Sequence, residues 1–473
     1  MEHQLVTRAP TVREPVFFDF EKGGDFMDKG DNILGTMPVG KLVLTMSSPI
    51  MLSMLMSAIY NLVDSIYVAQ VSDLDFLALS YAYPVQLMVI AFCCGLGVGF
   101  NAILAKRLGQ GRREDAVNVA CHGFLLYAAI WLLALLFALF GCAPFFRVCT
   151  DNPVVAQAGI RYLTICSGLS IGLCMQFLTE RILQSTGHPA GFMIVQGSGA
   201  LLNIVLDPVF IFGFDMGVVG AAVATVIGQI TGACIGFFLV WRLRRTFPLS
   251  PRRFRFSLEI TGDMLRIAAP AIVMQSLSSF MTLGLNQIMN LVSETAVFVL
   301  GVYIKIQSFV YMPIFGVNNG LVPIISYNYG AKDAARITHS IRFGLQLSVG
   351  TGLAGTVLLS LAASPLLRYC FQAPQEAIGL GVPALRMTAL AFGVAAVSIV
   401  LSSAFQSLDR SSCSLLVSLL RQIIFLLPIA LLLVQVRPEL VWLCFLFSEL
   451  LTAAVAVPLY RRTVVPRVRS LKP

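Results

Sequence analysis

Two carboxylates sit inside otherwise apolar stretches of this chain. Asp64 follows Ser57, Tyr60 and Asn61, and Asp207 follows Gln196 and Asn203. Spacings of four and three residues place Ser57, Asn61 and Asp64 on one face of a helix. Asn203 lies four residues before Asp207 and Gln196 eleven before it, about three turns, so these three also share a face. Thr225 and Gln229, four apart, form a third polar face. Carboxylate, amide and hydroxyl oxygens together compose a pocket suited to Na⁺, or to protons shared between the acids. Two nearby acids in a low-dielectric setting cannot both stay ionised cheaply, which makes proton uptake near neutral pH feasible. Pro208 lacks an amide and leaves a backbone carbonyl available beside Asp207. The bland reading is that Asp64 caps near an interface and Asp207 bonds locally. Arg421 and Glu449 form a second polar set, at similar depth in adjacent antiparallel stretches. A buried structural ion pair is the expectation there, with a second coupling site as the alternative. Lys305 is expected to snorkel to an interface, and Glu180 with Arg181 to play a local interfacial role.

The elements that must position these groups cross a membrane. Of 473 residues, 57% are hydrophobic and 12% charged, against about 25% charged in soluble domains. That balance excludes a soluble enzyme. Leu42–Val63, Phe76–Ala105 and Met216–Trp241 contain no Asp, Glu, Lys or Arg, and about 20 apolar residues suffice to span a bilayer as a helix. The alternating segments of about ten residues that mark a membrane β-barrel are missing. The pattern predicts an all-α polytopic membrane protein with twelve transmembrane helices, at about 42–67, 77–106, 116–144, 153–183, 190–213, 217–241, 265–292, 298–328, 336–364, 377–405, 412–435 and 440–460. Residues 1–41, with seven acids and five bases, read as a polar cytoplasmic tail without a signal-peptide layout. Basic residues concentrate in alternate loops: Lys106, Arg107, Arg112 and Arg113, then Arg242 to Arg255, then the tail from Arg461 to Lys472. Such asymmetry places both termini in the cytoplasm, in the inner (plasma) membrane of the cell. The net charge of +9 is thereby a matter of topology, and no basic patch interleaved with aromatics suggests nucleic acid.

The chain also repeats itself at an offset of 221 residues. Pro49 pairs with Pro270, Ser72 with Ser293, Gln86 with Gln307, Gly95 with Gly316, Gly99 with Gly320, Ile103 with Ile324 and Gly109 with Gly330. Six spans separate the copies, so the halves share one topology, related by an axis along the membrane normal. The expected organisation is two pseudo-symmetric six-helix lobes, 42–241 and 265–460, with a cytoplasmic linker at 242–264 and a basic tail at 461–473. Parallel repeats of this kind are typical of secondary transporters, with a cleft between halves.

Other chemistry finds no support. The eleven cysteines contain no CxxC pair, the four histidines fit no HExxH pattern, and no phosphate-binding GxxxxGK[ST] occurs. Gly95, Gly97 and Gly99 lie within a span and read as close helix packing, not a dinucleotide fingerprint. An intramembrane enzyme would need a catalytic grouping, yet only acids and amides cluster. A non-enzyme without a cofactor beyond H⁺ or Na⁺ is expected.

Three segments resemble one family. NIVLDPVFIFGFDMGVVGAAVATVIGQ (203–229) is similar to the fifth and sixth spans of multidrug and toxic compound extrusion (MATE) transporters, PIMLSMLMSAIYNLVDSIYVAQ (49–70) to their first span, and LVPIISYNYGAKDA (321–334) to the end of their eighth. The resemblance covers about residues 35–460 and is strongest to the DinF-like branch. It implies a cation-coupling site at Asp64, Asn203, Asp207 and Thr225, which would hold Na⁺ if Na⁺ is the coupling ion. It also implies substrate-facing Ser57, Tyr60 and Gln196, with Asn61 beside them, and a bending proline at Pro49. The family's other branch carries acids in spans seven and ten. This chain instead has Gln275, Asn286 and Gln287 in span seven and no central acid in span ten. The implied function is a cation-coupled antiporter that expels amphipathic, often cationic, organic compounds by alternating access. Its partners would be the lipid bilayer and small organic substrates, and a monomer suffices because one chain holds both lobes. The alternative is a lipid-linked precursor flippase of related two-lobe architecture, which calls for a basic cavity.

Overall fold

The computed structural model describes residues 33–69, 73–245, 247, 254–371 and 373–471, with the side chains at 60–66, 68, 69, 73, 76 and 245 outside that description. Each long apolar stretch is helical, because in hydrocarbon only a helix or closed barrel satisfies its own backbone groups. Eleven helices are long and apolar enough to cross a membrane, and twelve when the bent pair Gln375–Ala389 and Ala391–Ser407, meeting at 41°, is one span. Span one is Val39–Ala69, span two Asp73–Gly109, span three Arg113–Cys149, span four Pro153–Ser185, span five Pro189–Gly213 and span six Gly217–Arg242. Span seven is Leu258–Asn290, span eight Glu294–Gly330, span nine Ala334–Cys370, span ten Gln375–Ser407, span eleven Ser411–Val436 and span twelve Pro438–Arg469. Several helices outrun their apolar stretches. Span seven starts at Leu258, capped by the Ser257 side chain on the Ile260 amide, and the last helix continues to Arg469. Hydropathy marks only the hydrocarbon-embedded part of a helix, whereas the Ser257 cap carries span seven beyond it and the packing of buried Val464 and Val468 carries the last helix.

The 221-residue offset is visible in three dimensions. Asp73–Gly109 has its counterpart in Glu294–Gly330, and Arg113–Cys149 in Ala334–Cys370. Span four breaks at Leu169 and span ten at Leu390. Gly111 and Lys332 both hold left-handed backbone, with φ of 72° and 61°. The fold is thus two six-helix lobes that follow one plan.

Glycines bring the lobes together. A Cβ added at Gly95 would lie 2.6 Å from the Ile272 amide nitrogen, and one added at Gly316 would lie 2.7 Å from Met51 Cα. One turn further, Gly99 meets Met264 and Ala268, and Gly320 meets Ser47. At the helix ends Gly109 abuts the Tyr327 carbonyl and Gly330 the Lys106 carbonyl. Span two therefore crosses span seven, and span eight crosses span one, backbone against backbone. Polar contacts reinforce the same half of the molecule, the half bearing Ile33 and Leu471, the ends of the described residues. Lys106 pairs with Asp409 at 2.7 Å, Arg467 reaches Asp409 at 3.3 Å, and Arg336 donates to the Leu34 and Met37 carbonyls at 3.1 and 2.8 Å.

Candidate functional site

In the first lobe, spans five and six cross where glycines allow it. A Cβ on Gly228 would stand 2.7 Å from the Gly199 carbonyl oxygen and 3.4 Å from Asn203 Cβ. That closeness brings Asn203 to Thr225. Asn203 Nδ2 donates to Asp207 Oδ1 at 3.1 Å and to Thr225 Oγ1 at 3.3 Å. All three are buried, with Asp207 wholly so at 0% exposure. Asn203 Oδ1 is also buried and accepts no hydrogen bond among the described residues. Pro208 ends the regular helix after Asp207, and a π-helical turn, Val209–Gly213, follows. Nearer the half bearing Ile33 and Leu471, Gln196 Nε2 donates to Ser57 Oγ at 2.7 Å, tying span five to span one. The first helix passes through 60, 61 and 64, but the side chains of Tyr60, Asn61 and Asp64 lie outside the described residues. Pro49 sits within that unbroken helix, and the Ser53 hydroxyl donates to its carbonyl at 2.8 Å. Among the described residues no three His, Cys, Asp or Glu side chains converge on a metal site. The oxygens that are described, from Asp207, Asn203 and Thr225, are of the hard type that suits Na⁺.

The second lobe encloses a cavity of about 210 Å³ between spans seven, eight, eleven and twelve. Span eleven opens into a π-helical turn at Leu420–Ile424, which sets Arg421 and Gln422 side by side on its wall. Such turns recur at functional sites because they re-aim side chains at a cost in regular hydrogen bonding. Arg421 Nε lies 3.4 Å from Glu449 Oε1. The Ser448 hydroxyl donates to the Arg421 carbonyl at 2.7 Å, and the Ser278 hydroxyl to Gln422 Oε1 at 3.2 Å. Ser57 and Ser278 are equivalent across the repeat, and each meets a glutamine of the fifth helix of its lobe.

Glu180 and Arg181, expected to play a local role near an interface, are buried within the protein. They are 2% and 6% exposed. Glu180 Oε1 accepts from Gln176 at 2.9 Å, and Arg181 Nη1 donates to Gln184 Oε1 at 2.9 Å. Gln184 in turn donates to the Asn319 carbonyl of the other lobe at 2.7 Å and accepts from Asn101 at 2.9 Å. The spacing of Gln176, Glu180 and Gln184, four apart within one span, was the available signal for this buried network. Lys305 is exposed on span eight.

Comparison with known proteins places this geometry in context. The MatE family model matches residues 49–209 and again 270–432, so its two matches begin one repeat length apart. A FAD transporter of Shewanella oneidensis is 24% identical over 404 residues, covering 83% of this chain and 88% of that protein. The multidrug export protein MepA of Staphylococcus aureus is 27% identical over 304 residues, 62% of this chain and 65% of that protein, just under two thirds of its length. A crystal structure of a MATE transporter in complex with MaL6 superposes with a TM-score of 0.88 at 24% identity, over 93% of this chain and 99% of that one.

Proposed function

This chain belongs to the MatE family of transporters, and on that premise we propose that it exports small organic compounds across the plasma membrane in exchange for H⁺ or Na⁺. The drug-export reading draws on the likeness to MepA. The coupling reading rests on one observation, the fully buried Asp207 joined through Asn203 to Thr225. An acid at that depth is expensive, and such groups mark ion pathways by default.

The arrangement suggests how coupling would work. Asn203 points its NH₂ group at Asp207 and Thr225, the place a cation would take between the same two oxygens. Turning that amide over would bring Asn203 Oδ1, otherwise without a donor, to join them, and three oxygens would then converge. Protonation of the Asp207 carboxyl is the equivalent event for H⁺. Either event neutralises the first lobe's pocket, and span one would respond by bending at Pro49, with Asp64 as the second acid and Ser57, Tyr60, Asn61 and Gln196 facing the substrate. Both termini lie in the cytoplasm in this reading, so the closed half of the molecule faces inward. One charge returning down 100 mV supplies about 2.3 kcal/mol, against about 1.4 kcal/mol for a tenfold uphill step. A lipid-linked precursor flippase is not favoured, because a single arginine lines the second-lobe cavity, whereas a pyrophosphate calls for several basic groups.

The test is drug efflux in a pump-deficient host with Na⁺ and pH varied independently. Asp207→Asn should abolish cation-dependent efflux while the protein still folds. Cation-dependent efflux retained in that variant would sink the coupling assignment.

A further inference from the structure

We propose that the second-lobe cavity is a binding site for an aromatic organic anion, whose acidic group docks on the terminal nitrogens of Arg421. The site is separate from the Asp207 cluster, and its assignment does not depend on cation coupling.

The Arg421–Glu449 contact is not the closed fork of a structural ion pair. The recorded approach is Nε to Oε1 at 3.4 Å, whereas charge-assisted bonds of this type run at about 2.7–2.9 Å. Neither Nη donates to a protein acceptor among the described residues, and Arg421 lines the cavity. Glu449 Oε2 is buried and likewise without a partner. Glu449 therefore offsets the guanidinium charge at a distance while leaving its two-pronged end turned to the cavity. A planar acid group matches that end.

The repeat shows that the fold does not require this pair. The positions equivalent to Arg421 and Glu449 in the first lobe are Ala200 and Gly228, and that lobe packs its spans without any ion pair there. The charges belong to one copy only, and the first lobe's fifth span has its π-helical turn elsewhere, at Val209–Gly213, with regular helix at the position equivalent to Arg421. A π-helical turn that in this lobe falls at the residue carrying the cavity's positive charge points to a ligand.

The rest of the lining sets the ligand's body. Tyr311, Phe315 and Phe445 supply aromatic faces, and Met281 and Met312 an adaptable apolar wall. About 210 Å³ is below the usual range for drug-sized ligands, and accommodates a two-ring aromatic with one acidic substituent. Gln307 and Gln422 can meet polar edges of the ring system.

The experiment measures binding to the purified full chain in lipid nanodiscs by titration calorimetry. Three probes of one shape are compared: 2-naphthoate, neutral 2-naphthamide and cationic 2-naphthylmethylammonium. The expected result is naphthoate binding at least tenfold tighter than naphthamide. Arg421→Gln should erase that preference, and Glu449→Gln should enhance naphthoate binding several-fold by removing the competing carboxylate. Thr282→Trp, which fills the cavity without touching a charge, should abolish binding of naphthoate. Equal binding of naphthoate and naphthamide overturns the proposal, as does tighter binding of the ammonium, or a preference that survives Arg421→Gln. If Arg421→Gln fails to fold, the order of the three probes on the unaltered protein and the Thr282→Trp result decide the matter alone.

Discussion

Adding one methyl group at Gly316 should open the half of the molecule that bears Ile33 and Leu471. The Cβ of Gly316→Ala would lie 2.7 Å from Met51 Cα and 2.9 Å from its amide nitrogen. Carbon contacts are comfortable at about 3.5–4.0 Å, and the neighbour is backbone, so spans one and eight must part by about 1 Å. Overpacking of this kind costs about 1–3 kcal/mol. The alanine also favours the helix by about 1 kcal/mol, but it does so whether the lobes are together or apart, so that gain cancels. At about 1.4 kcal/mol per tenfold, the closed arrangement loses roughly fivefold to 150-fold of its population advantage. Spin labels at exposed positions 110 and 332, in a background with the native cysteines replaced, report the separation of the two helix ends by pulsed electron resonance. The unaltered protein should give one short distance, and Gly316→Ala a second, longer one. Gly301→Ala, where a Cβ meets nothing, should leave the distribution as it was. A folded Gly316→Ala protein with the original single distance would refute the view that glycine contacts hold this half shut.

Three further outcomes follow from named contacts. Thr225→Val keeps the shape but removes the hydroxyl that accepts from Asn203. It should cost about 1–3 kcal/mol, seen as a lowered thermal midpoint in detergent, and should weaken the Na⁺ or pH dependence of efflux. Asp409→Asn leaves Lys106 and Arg467 without their shared acid. Since all three side chains are a quarter to a third exposed, the loss should stay below about 1 kcal/mol, and high salt should mask it in the spin-label distances. His188 lies in the loop between spans four and five, and burial holds its imidazole below the ordinary range, opposed by the hydrogen bond it can donate to the Thr186 backbone. The unfolded chain therefore binds a proton there that the folded one refuses. Stability should be intact above about pH 6.5 and fall as pH drops below that value, and His188→Asn should flatten this part of the thermal-midpoint profile.

Much of the architecture is written in hydropathy and in the repeat. Twelve apolar stretches separated by short polar turns leave a helix little freedom, and the offset of 221 residues from Pro49 to Pro270 carries through to helix ends and breaks. What hydropathy does not register is departure from the regular helix. The π-helical turn at Leu420–Ile424 has no breaking residue within it, since it depends on Ser448 and the cavity wall taking up what the helix gives away. The burial of Glu180 and Arg181 within the protein escapes hydropathy for a related reason. Position along the sequence gives depth along one helix, but not the neighbours that bury a side chain, such as Gly97, Tyr127 and Phe192 around Arg181. The Asn203, Asp207 and Thr225 grouping was suggested by helical spacing within spans. Its convergence between spans depends on Gly199 and Gly228, whose value lies in lacking a side chain.

The glycine crossings come as matched pairs, with Gly95 against Ile272 and Gly316 against Met51, then Gly99 against Ala268 and Gly320 against Ser47. The closed half is in effect held by two equal pins, one on each side of the pseudo-twofold axis. Loosening one pin does not swing both leaves apart evenly; it lets the molecule yaw, with one seam gaping while the other stays shut. A chain that fuses two like lobes can therefore reach lopsided intermediates that a strictly symmetric dimer would visit in either of two equivalent ways, and each lobe's own pocket would then be uncovered at a different moment.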